Sequence, residues 1–354
     1  MKKINYNAPI CGTGYGVASI NILKQLVNRY DITLFPISRS VAVETKEDND
    51  IIFPLVDKDF DPTQPCIKIW HQFDLASRIG KGQYIGFPIF ELDKFNTTEI
   101  RHLNSTDHLA VCSQWAKDVL INNGINVPIS VVPLGVDTKI FNNDSYKDDY
   151  KSENYIFLSI GKWEIRKGHD VLIECFNNAF NANDNVELWL VTENPFLSKE
   201  EVGFWHNLIF NSKLKTKIKI FNRLQTQFDV ANIISHSDCG VYISRAEGWN
   251  LELLETIAMN RPVIATNYSG HTEFCNNDNS YLVDINNLEP AIDNKWFFGN
   301  GNWAKIDQTA KDQIIEHMRH CFKNKIQENP GSKFTTDIFT WENSANSLAT
   351  CILN

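Results

Sequence analysis

The chain has 354 residues, 43% of them hydrophobic and 22% charged, a composition that suits two ordinary globular domains, each with its own core. A formal charge of −9 argues against tracking a nucleic-acid backbone, which calls for a basic footprint, without excluding a local basic patch. The eight cysteines are scattered with none at C-x-x-C spacing, so neither a zinc site nor a disulfide framework is indicated. No apolar run reaches the roughly 18 residues that span a bilayer. Met1 to Asn7 lacks the apolar stretch of a signal peptide, so a reducing cytoplasm is the expected location.

Near the start, Gly12-Thr13-Gly14-Tyr15-Gly16 leads into a helix expected over residues 19–27. Its glycines allow a ligand close to the backbone, and a tight turn explains them equally well. The spacing is not the G-x-G-x-x-G of a dinucleotide site. Short strands read at 32–36, 67–70, 84–88 and 109–112 alternate with helical patterns, as parallel βα units do. His71 falls at the end of the second of these. A helix over 115–123 is expected to be capped by Ser113 and stopped by Gly124. Residues 130–137 read as a strand running into a turn. Residues 142–154 turn polar and lose periodicity, which suggests a linker.

Strand patterning restarts at 155–160 and is followed by Gly161-Lys162-Trp163-Glu164-Ile165-Arg166-Lys167-Gly168. A strand end, a glycine and cations just before a helix outline an anion site, with an ordinary basic turn as the alternative. The helix is expected at 170–178, strands at 186–191 and 218–221, and a further helix near 228–235. Between them Lys213-Leu214-Lys215-Thr216-Lys217-Ile218-Lys219 alternates like a strand with one solvated face. Residues 239–243 read as a buried strand, 262–266 as another. The segment Ser244-Arg245-Ala246-Glu247-Gly248-Trp249-Asn250-Leu251-Glu252-Leu253-Leu254-Glu255 lies between them. In an open parallel sheet, ligands sit where strands give way to helices, so Glu247 and Glu255 fall in the loop and first turns of a helix facing such a crevice. Asn250 reads as the N-cap and Asn260 as the stop. Glu255 lies on an otherwise apolar face, where a carboxylate needs a partner that a bound polyol would supply. Residues 276–302, rich in Asn and Gly with Trp296, Phe297 and Phe298, read as a loop region bearing on specificity. Helices are expected at 307–323 and 339–353.

The 244–255 segment, followed by Pro262-Val263-Ile264-Ala265-Thr266-Asn267 and Gly270-His271-Thr272-Glu273, resembles the C-terminal signature of the retaining glycosyltransferases of family 4. Motifs from Gly12 through Trp341 fall in that family's order. The resemblance implies an α/β protein with two facing Rossmann-like, doubly wound domains (GT-B) and an active-site cleft between them. It implies an acceptor-side domain over 1–147, a nucleotide-sugar domain over 148–335, and a C-terminal helix within 336–354 crossing back to the first domain. The activity implied is transfer of a hexose-type sugar from a nucleoside-diphosphate sugar to a carbohydrate or other hydroxyl-bearing acceptor. Configuration is retained by a front-face mechanism that needs no metal or other cofactor.

Residue by residue, the resemblance places Glu247, Lys167, Lys162 and His71 in the catalytic set: Glu247 facing the sugar, the lysines on the diphosphate, His71 near donor sugar and acceptor. Glu255 would hydrogen-bond the ribose, and Gly248, Trp249, Asn250, Leu251, Arg166, Gly14 and Gly16 would complete the donor site. Tyr15 and Glu91 fall on the acceptor side. Two positions depart from the pattern. Lys162 stands where the family has Arg, losing the bidentate fork, and Asn250 stands where many members have Gly. Asp57-Lys58-Asp59 and Asp59-Phe60-Asp61 fit the Asp-x-Asp pattern of metal-dependent glycosyltransferases. They precede a strand rather than end one, so no metal is expected there. A sugar-nucleotide epimerase of the same architecture and a DNA-modifying glycosyltransferase are the alternatives, the acidic balance weighing against the second.

Overall fold

Ile4, Tyr6, Ala8 and Ile10 are buried along one face of the strand Lys2–Ile10 (β1), and Asn5 and Asn7 are buried on the other. The two asparagines are tolerated inside because each amide donates to a backbone carbonyl, Asn5 to Asp61 at 3.0 Å and Asn7 to Phe35 at 2.8 Å. This strand belongs to the first of two compact units, Met1–Gly135 with Ile338–Asn354; the second is Val136–Asp337. The structure is a computed structural model that describes residues 1–56, 58–146 and 152–353, with the backbone alone at 38–40 and 353.

In the first unit, β1 is followed by α1 (Gly14–Leu26), β2 (Tyr30–Val41), α2 (Lys46–Val56), β3 (Cys66–Ile69), β4 (Tyr84–Phe87), α3 (Thr97–Leu103), β5 (His108–Val111), α4 (Gln114–Asn122) and β6 (Ile129–Val131). Among the described residues the six strands form one parallel sheet in the order β2-β1-β3-β4-β5-β6. Ser113 caps α4 by accepting from the Ala116 amide at 3.1 Å, and Gly124 takes the left-handed conformation beyond its end.

The second unit runs β7 (Tyr155–Ile160), α5 (His169–Ala179), β8 (Val186–Val191), α6 (Lys199–Phe210), β9 (Ile218–Phe221), α7 (Gln227–Ser235), β10 (Cys239–Tyr242), α8 (Leu251–Ala258), β11 (Val263–Thr266), β12 (Tyr281–Val283), β13 (Leu288–Ile292), β14 (Phe298–Ala304), α9 (Gln308–Asn324) and α10 (Ser332–Ile338). Its parallel sheet has the order β12-β11-β10-β7-β8-β9. Phe157, Leu188, Val241 and Ile264 from the strands pack with Leu172 and Phe176 of α5 and Ile314 and Met318 of α9. The last helix, α11 (Trp341–Leu353), packs along α1 in the first unit.

Both units are therefore Rossmann-like, doubly wound α/β folds. In each sheet the chain winds outward on one side of the first strand and then returns to the other. The reversal falls between β1 and β3 in the first unit and between β7 and β10 in the second, which is where ligands bind in such sheets.

Several local expectations are corrected. Gly14 and Gly16 lie in the first turns of α1, not in a loop before it. The segment 276–302 is not a loop: β12 extends the main sheet and β13 pairs antiparallel with β14. Its Asn- and Gly-rich composition marks turns within that structure, such as the one where Asp293 accepts from the backbone amides of Lys295, Trp296 and Phe297. The lysine stretch 213–219 is half a 3-10 turn (Lys215–Lys217), with the strand starting only at Ile218. The linker expected at 142–154 lies partly outside the described residues. Among the described residues, no helix is long and apolar enough to cross a membrane.

Candidate active site

Two loops meet at the sheet reversal of the second unit. One leaves β7 at Gly161 and turns through the 3-10 segment Ile165–Lys167 into α5. The other runs from β10 through 244–250 into α8. They are fastened to each other by the Arg245 amide, which donates to the Arg166 carbonyl at 2.6 Å. Gly168 makes this approach possible. Its φ is +77°, and a Cβ there would stand 2.2 Å from the Ile243 carbonyl oxygen.

At the junction, Glu247 is buried and its carboxylate is saturated. Oε2 receives Arg166 Nη1 at 2.8 Å; Oε1 receives Lys167 Nζ at 2.9 Å and the Ser244 hydroxyl at 2.7 Å. Arg166 is itself buried and also donates to the Ala246 carbonyl and to Glu164. Lys162, its side chain half exposed, pairs with the other Glu164 oxygen at 2.9 Å. Burial opposes ionisation of Glu247, but Arg166 and Lys167 outweigh it and hold the carboxyl far below the usual carboxylate range. Burial likewise works against the Lys167 charge, and the Glu247 carboxylate reverses that and raises its pKa. Burial, with the Lys167 charge behind it, pushes the neighbouring His169 imidazole down to about 4. The Glu247 carboxylate and the Lys167 ammonium therefore hold each other in their charged forms, beside an imidazole kept neutral.

The rest of the 244–255 segment is locked from the β11 side. The Glu247 amide donates to the Ser269 hydroxyl at 2.8 Å and the Gly270 amide to the Glu247 carbonyl at 2.9 Å. A Cβ on Gly270 would lie 2.0 Å from the Gly248 carbonyl oxygen. Ser269 is in a positive-φ conformation, a cost that the two bonds offset. Trp249 is buried with its ring 4.9 Å from Phe274. Asn250 occupies the N-cap position of α8, but its side chain makes no capping bond, contrary to expectation. The residue takes a left-handed conformation (φ +82°) that asparagine tolerates better than most. Leu251 opens α8, and Glu255 is buried one turn further on.

The expected residues thus divide by unit. Lys162, Arg166, Lys167 and Glu247 meet in one cluster, with Gly248, Trp249, Asn250, Leu251 and Glu255 continuing from it along the same segment. Gly14, Gly16, Tyr15, His71 and Glu91 belong to the first unit, where the α1 start and the β3 end flank the other sheet reversal. Tyr15 Oη lies 3.2 Å from His71 Nδ1 and also donates to the Ile89 carbonyl. Burial first, then the nearby Glu91 charge, raises the Tyr15 pKa well above its ordinary value. Gly16 is explained by packing, since a Cβ there would be 1.9 Å from the Cys11 carbonyl oxygen.

Sequence reasoning missed Glu164, Ser244 and Ser269 as supports of the cluster. It also missed Arg245, whose guanidinium grips Asp170 through two 2.9 Å bonds and reaches Glu289 of β13 at 3.3 Å. Alternation of charge along Glu164-Ile165-Arg166-Lys167 was the available signal. Of the Asp-x-Asp segment, Asp57 lies outside the described residues. Lys58 pairs with Asp31 at 2.7 Å, and Asp61 closes a turn by accepting from Thr63 and Gln64. Among the described residues, no group of three or more His, Cys, Asp or Glu side chains is arranged to hold a metal ion.

Residues 154–294 match the family model described as glycosyl transferases group 1. A probable sucrose-phosphate synthase of Thermosipho melanesiensis is 29% identical over 195 residues, covering 53% of this chain and 43% of that protein. The chain thus matches less than half the length of that curated relative. Among solved structures, a sucrose-phosphate synthase of Thermosynechococcus elongatus superposes with a TM-score of 0.73 at 13% identity, covering 99% of this chain and 98% of the other. Anabaena Alr3699/HepE, solved in complex with UDP-glucose, superposes with a TM-score of 0.72 at 15% identity, with complete coverage of both chains. At such identities the likeness establishes the fold, which is that of the GT-B glycosyltransferases.

Proposed function

We propose that this chain, which carries a glycosyl transferases group 1 domain within a GT-B fold, moves a hexose-type sugar from a nucleoside-diphosphate sugar to an acceptor hydroxyl, with retention and without a metal. The observation that carries the reading is the buried Lys167–Glu247–Arg166 array at the β7/β10 reversal, beside the half-exposed Lys162. A departing diphosphate must be neutralised, and fixed cations and backbone amides at a strand–helix junction do this as a metal would. In this reading Lys162 and Lys167 hold the diphosphate. Arg166, fully engaged by Glu164, Glu247 and the Ala246 carbonyl, keeps the array in shape. Glu255 bonds the ribose, and the backbone from Gly248 to Leu251 lines the sugar.

Glu247 is already ionised and accepts three hydrogen bonds, which makes it a poor proton shuttle. That supports a front-face course. The acceptor oxygen bonds to the anomeric carbon from the side on which the carbon–phosphate oxygen bond breaks. The acceptor's proton passes to a phosphate oxygen of the leaving nucleoside diphosphate. Tyr15, His71 and Glu91 of the first unit are assigned to the acceptor and the sugar. UDP-glucose, bound in the Anabaena relative, is the first donor to try.

The test is release of nucleoside diphosphate from UDP-, GDP- and ADP-sugars, run with EDTA and with added magnesium or manganese. Turnover that survives the chelator is expected. Strict dependence on manganese, or no turnover of any of the three donors, overturns the reading.

A further inference from the structure

We infer that the Asn250 side chain selects the transferred sugar: its carboxamide reads an adjacent, uncharged pair of groups, one giving a hydrogen bond and one taking it. Asn250 is 4% exposed, and neither its Oδ1 nor its Nδ2 has a hydrogen-bond partner within the protein. The other buried asparagines among the described residues, from Asn5 to Asn329, each donate to a backbone carbonyl. A buried amide left unbonded is costly, and natural proteins keep such faults mainly at functional sites.

The ordinary reasons for an asparagine are missing here. At the N-cap position of α8 it makes no capping bond. Its left-handed backbone, at φ +82°, suits glycine better still. Two other residues at positive φ show the contrast. Asn260 Oδ1 accepts from the Asn329 amide at 3.0 Å, and the Ser269 hydroxyl accepts from the Glu247 amide at 2.8 Å. Their side chains are tied to backbone, and that of Asn250 is not.

A carboxamide oxygen only accepts and its nitrogen only donates. Phosphate and carboxylate oxygens only accept, so they would serve Nδ2 and oppose Oδ1. An ammonium group only donates and would leave Nδ2 bare. Two neighbouring hydroxyls complete both atoms, one giving its hydrogen to Oδ1 and the other accepting from Nδ2. An acetamido group does the same with its N–H and its carbonyl. The residue therefore favours neutral hexoses and N-acetylhexosamines over uronic acids and amino sugars. Asn250 belongs to the 248–251 stretch assigned above to the sugar, and the inference rests on that reading for what the carboxamide meets.

The experiment compares donor kinetics of wild type and Asn250→Gly, with circular dichroism to confirm folding. The donors are whichever of UDP-, GDP- and ADP-glucose is consumed, its analogues lacking one ring hydroxyl each, and the matching N-acetylglucosamine and glucuronic acid donors. In wild type, loss of one hydroxyl, or a glucuronic acid in place of glucose, should lower kcat/KM at least about tenfold, as when a buried group loses its partner. In Asn250→Gly the same penalty should shrink to within about threefold, the mark of coupling between residue and hydroxyl. A preference for the N-acetylglucosamine donor that vanishes in the variant assigns the pair to the acetamido group instead. A wild type that takes every deoxy and glucuronic acid donor as well as the parent, with no preference for the N-acetylglucosamine donor, overturns the inference whether or not the variant folds. So does an active, folded variant with the wild-type donor profile, and in both cases the transferase reading survives. A wild type that consumes none of the donors overturns that reading, and the inference falls with it.

Discussion

Lys167 Nζ stands 2.9 Å from Glu247 Oε1, with both side chains buried, so the cation assigned to the diphosphate rests on a carboxylate of the same cluster. Alone, either charge would be expensive to bury; together, and with Arg166 on the second oxygen, they are kept ionised. The arrangement sets a cation in place before any ligand arrives, which spares reorganisation at the moment charge develops.

Lys167→Ala removes that cation while Arg166 still satisfies Glu247. Turnover of the donor should fall by two to three orders of magnitude, roughly 3 kcal/mol in barrier, on the scale of one oxyanion-stabilising donor. Initial rates, with circular dichroism to confirm folding, are the measurement. A variant as active as wild type refutes the role.

Glu247→Gln keeps the shape and loses the charge that holds Arg166 and Lys167. We expect destabilisation of roughly 3 kcal/mol at pH 7, as for one partner deleted from a buried ion pair. Because the folded carboxyl sits far below its ordinary value of 4.5, its contribution is present above that pH and is lost as pH falls toward the folded value. The gap between the unfolding midpoints of wild type and variant should therefore narrow as pH drops below about 4.5. A constant gap from pH 7 to pH 3 contradicts the assignment.

Glu255→Ala bears on nucleotide rather than sugar. Loss of a charged hydrogen bond to ribose hydroxyls predicts affinity for UDP, GDP or ADP, whichever binds, weaker by at least about tenfold. Calorimetric titration settles it, and equal affinities end the assignment.

Gly16→Ala tests packing apart from ligands. Its methyl would lie 1.9 Å from the Cys11 carbonyl oxygen and 2.7 Å from the Cys11 nitrogen, so the start of α1 has to shift. A loss of roughly 1–3 kcal/mol in stability is expected, read as a lower thermal midpoint. A wild-type midpoint would mean the turn moves freely.

The second unit was legible because several of its strands are nearly continuous apolar runs: residues 155–160, 186–191 (broken only by Glu187) and 239–243 announce themselves as buried parallel strands. The first strand did not. Asn5, Asn7 and Pro9 interrupt β1, and only the tertiary carbonyls of Asp61 and Phe35 make two asparagines acceptable inside. The hairpin of β13 and β14 was hidden for a related reason, since its Gly and Asn residues signal turns more strongly than its alternation signals strands. At the site, the resemblance picked out Lys162, Lys167 and Glu247, which the structure gathers in one cluster. That Arg166 is an internal strut was not readable, because it depends on Glu164 and Glu247 reaching it from opposite sides. The tie between Tyr15 and His71, 56 residues apart, likewise needs the sheet order to exist.

The contact of Gly168 with the Ile243 carbonyl has a mechanical corollary. With no room for even a methyl group between them, and with Arg245 and Arg166 stitched backbone to backbone, neither loop is able to slide past the other. In the proposed transfer the two loops would travel together, because the backbone bond from Arg245 to Arg166 and the tight seat of Gly168 against Ile243 tie the start of α5 to the end of β10.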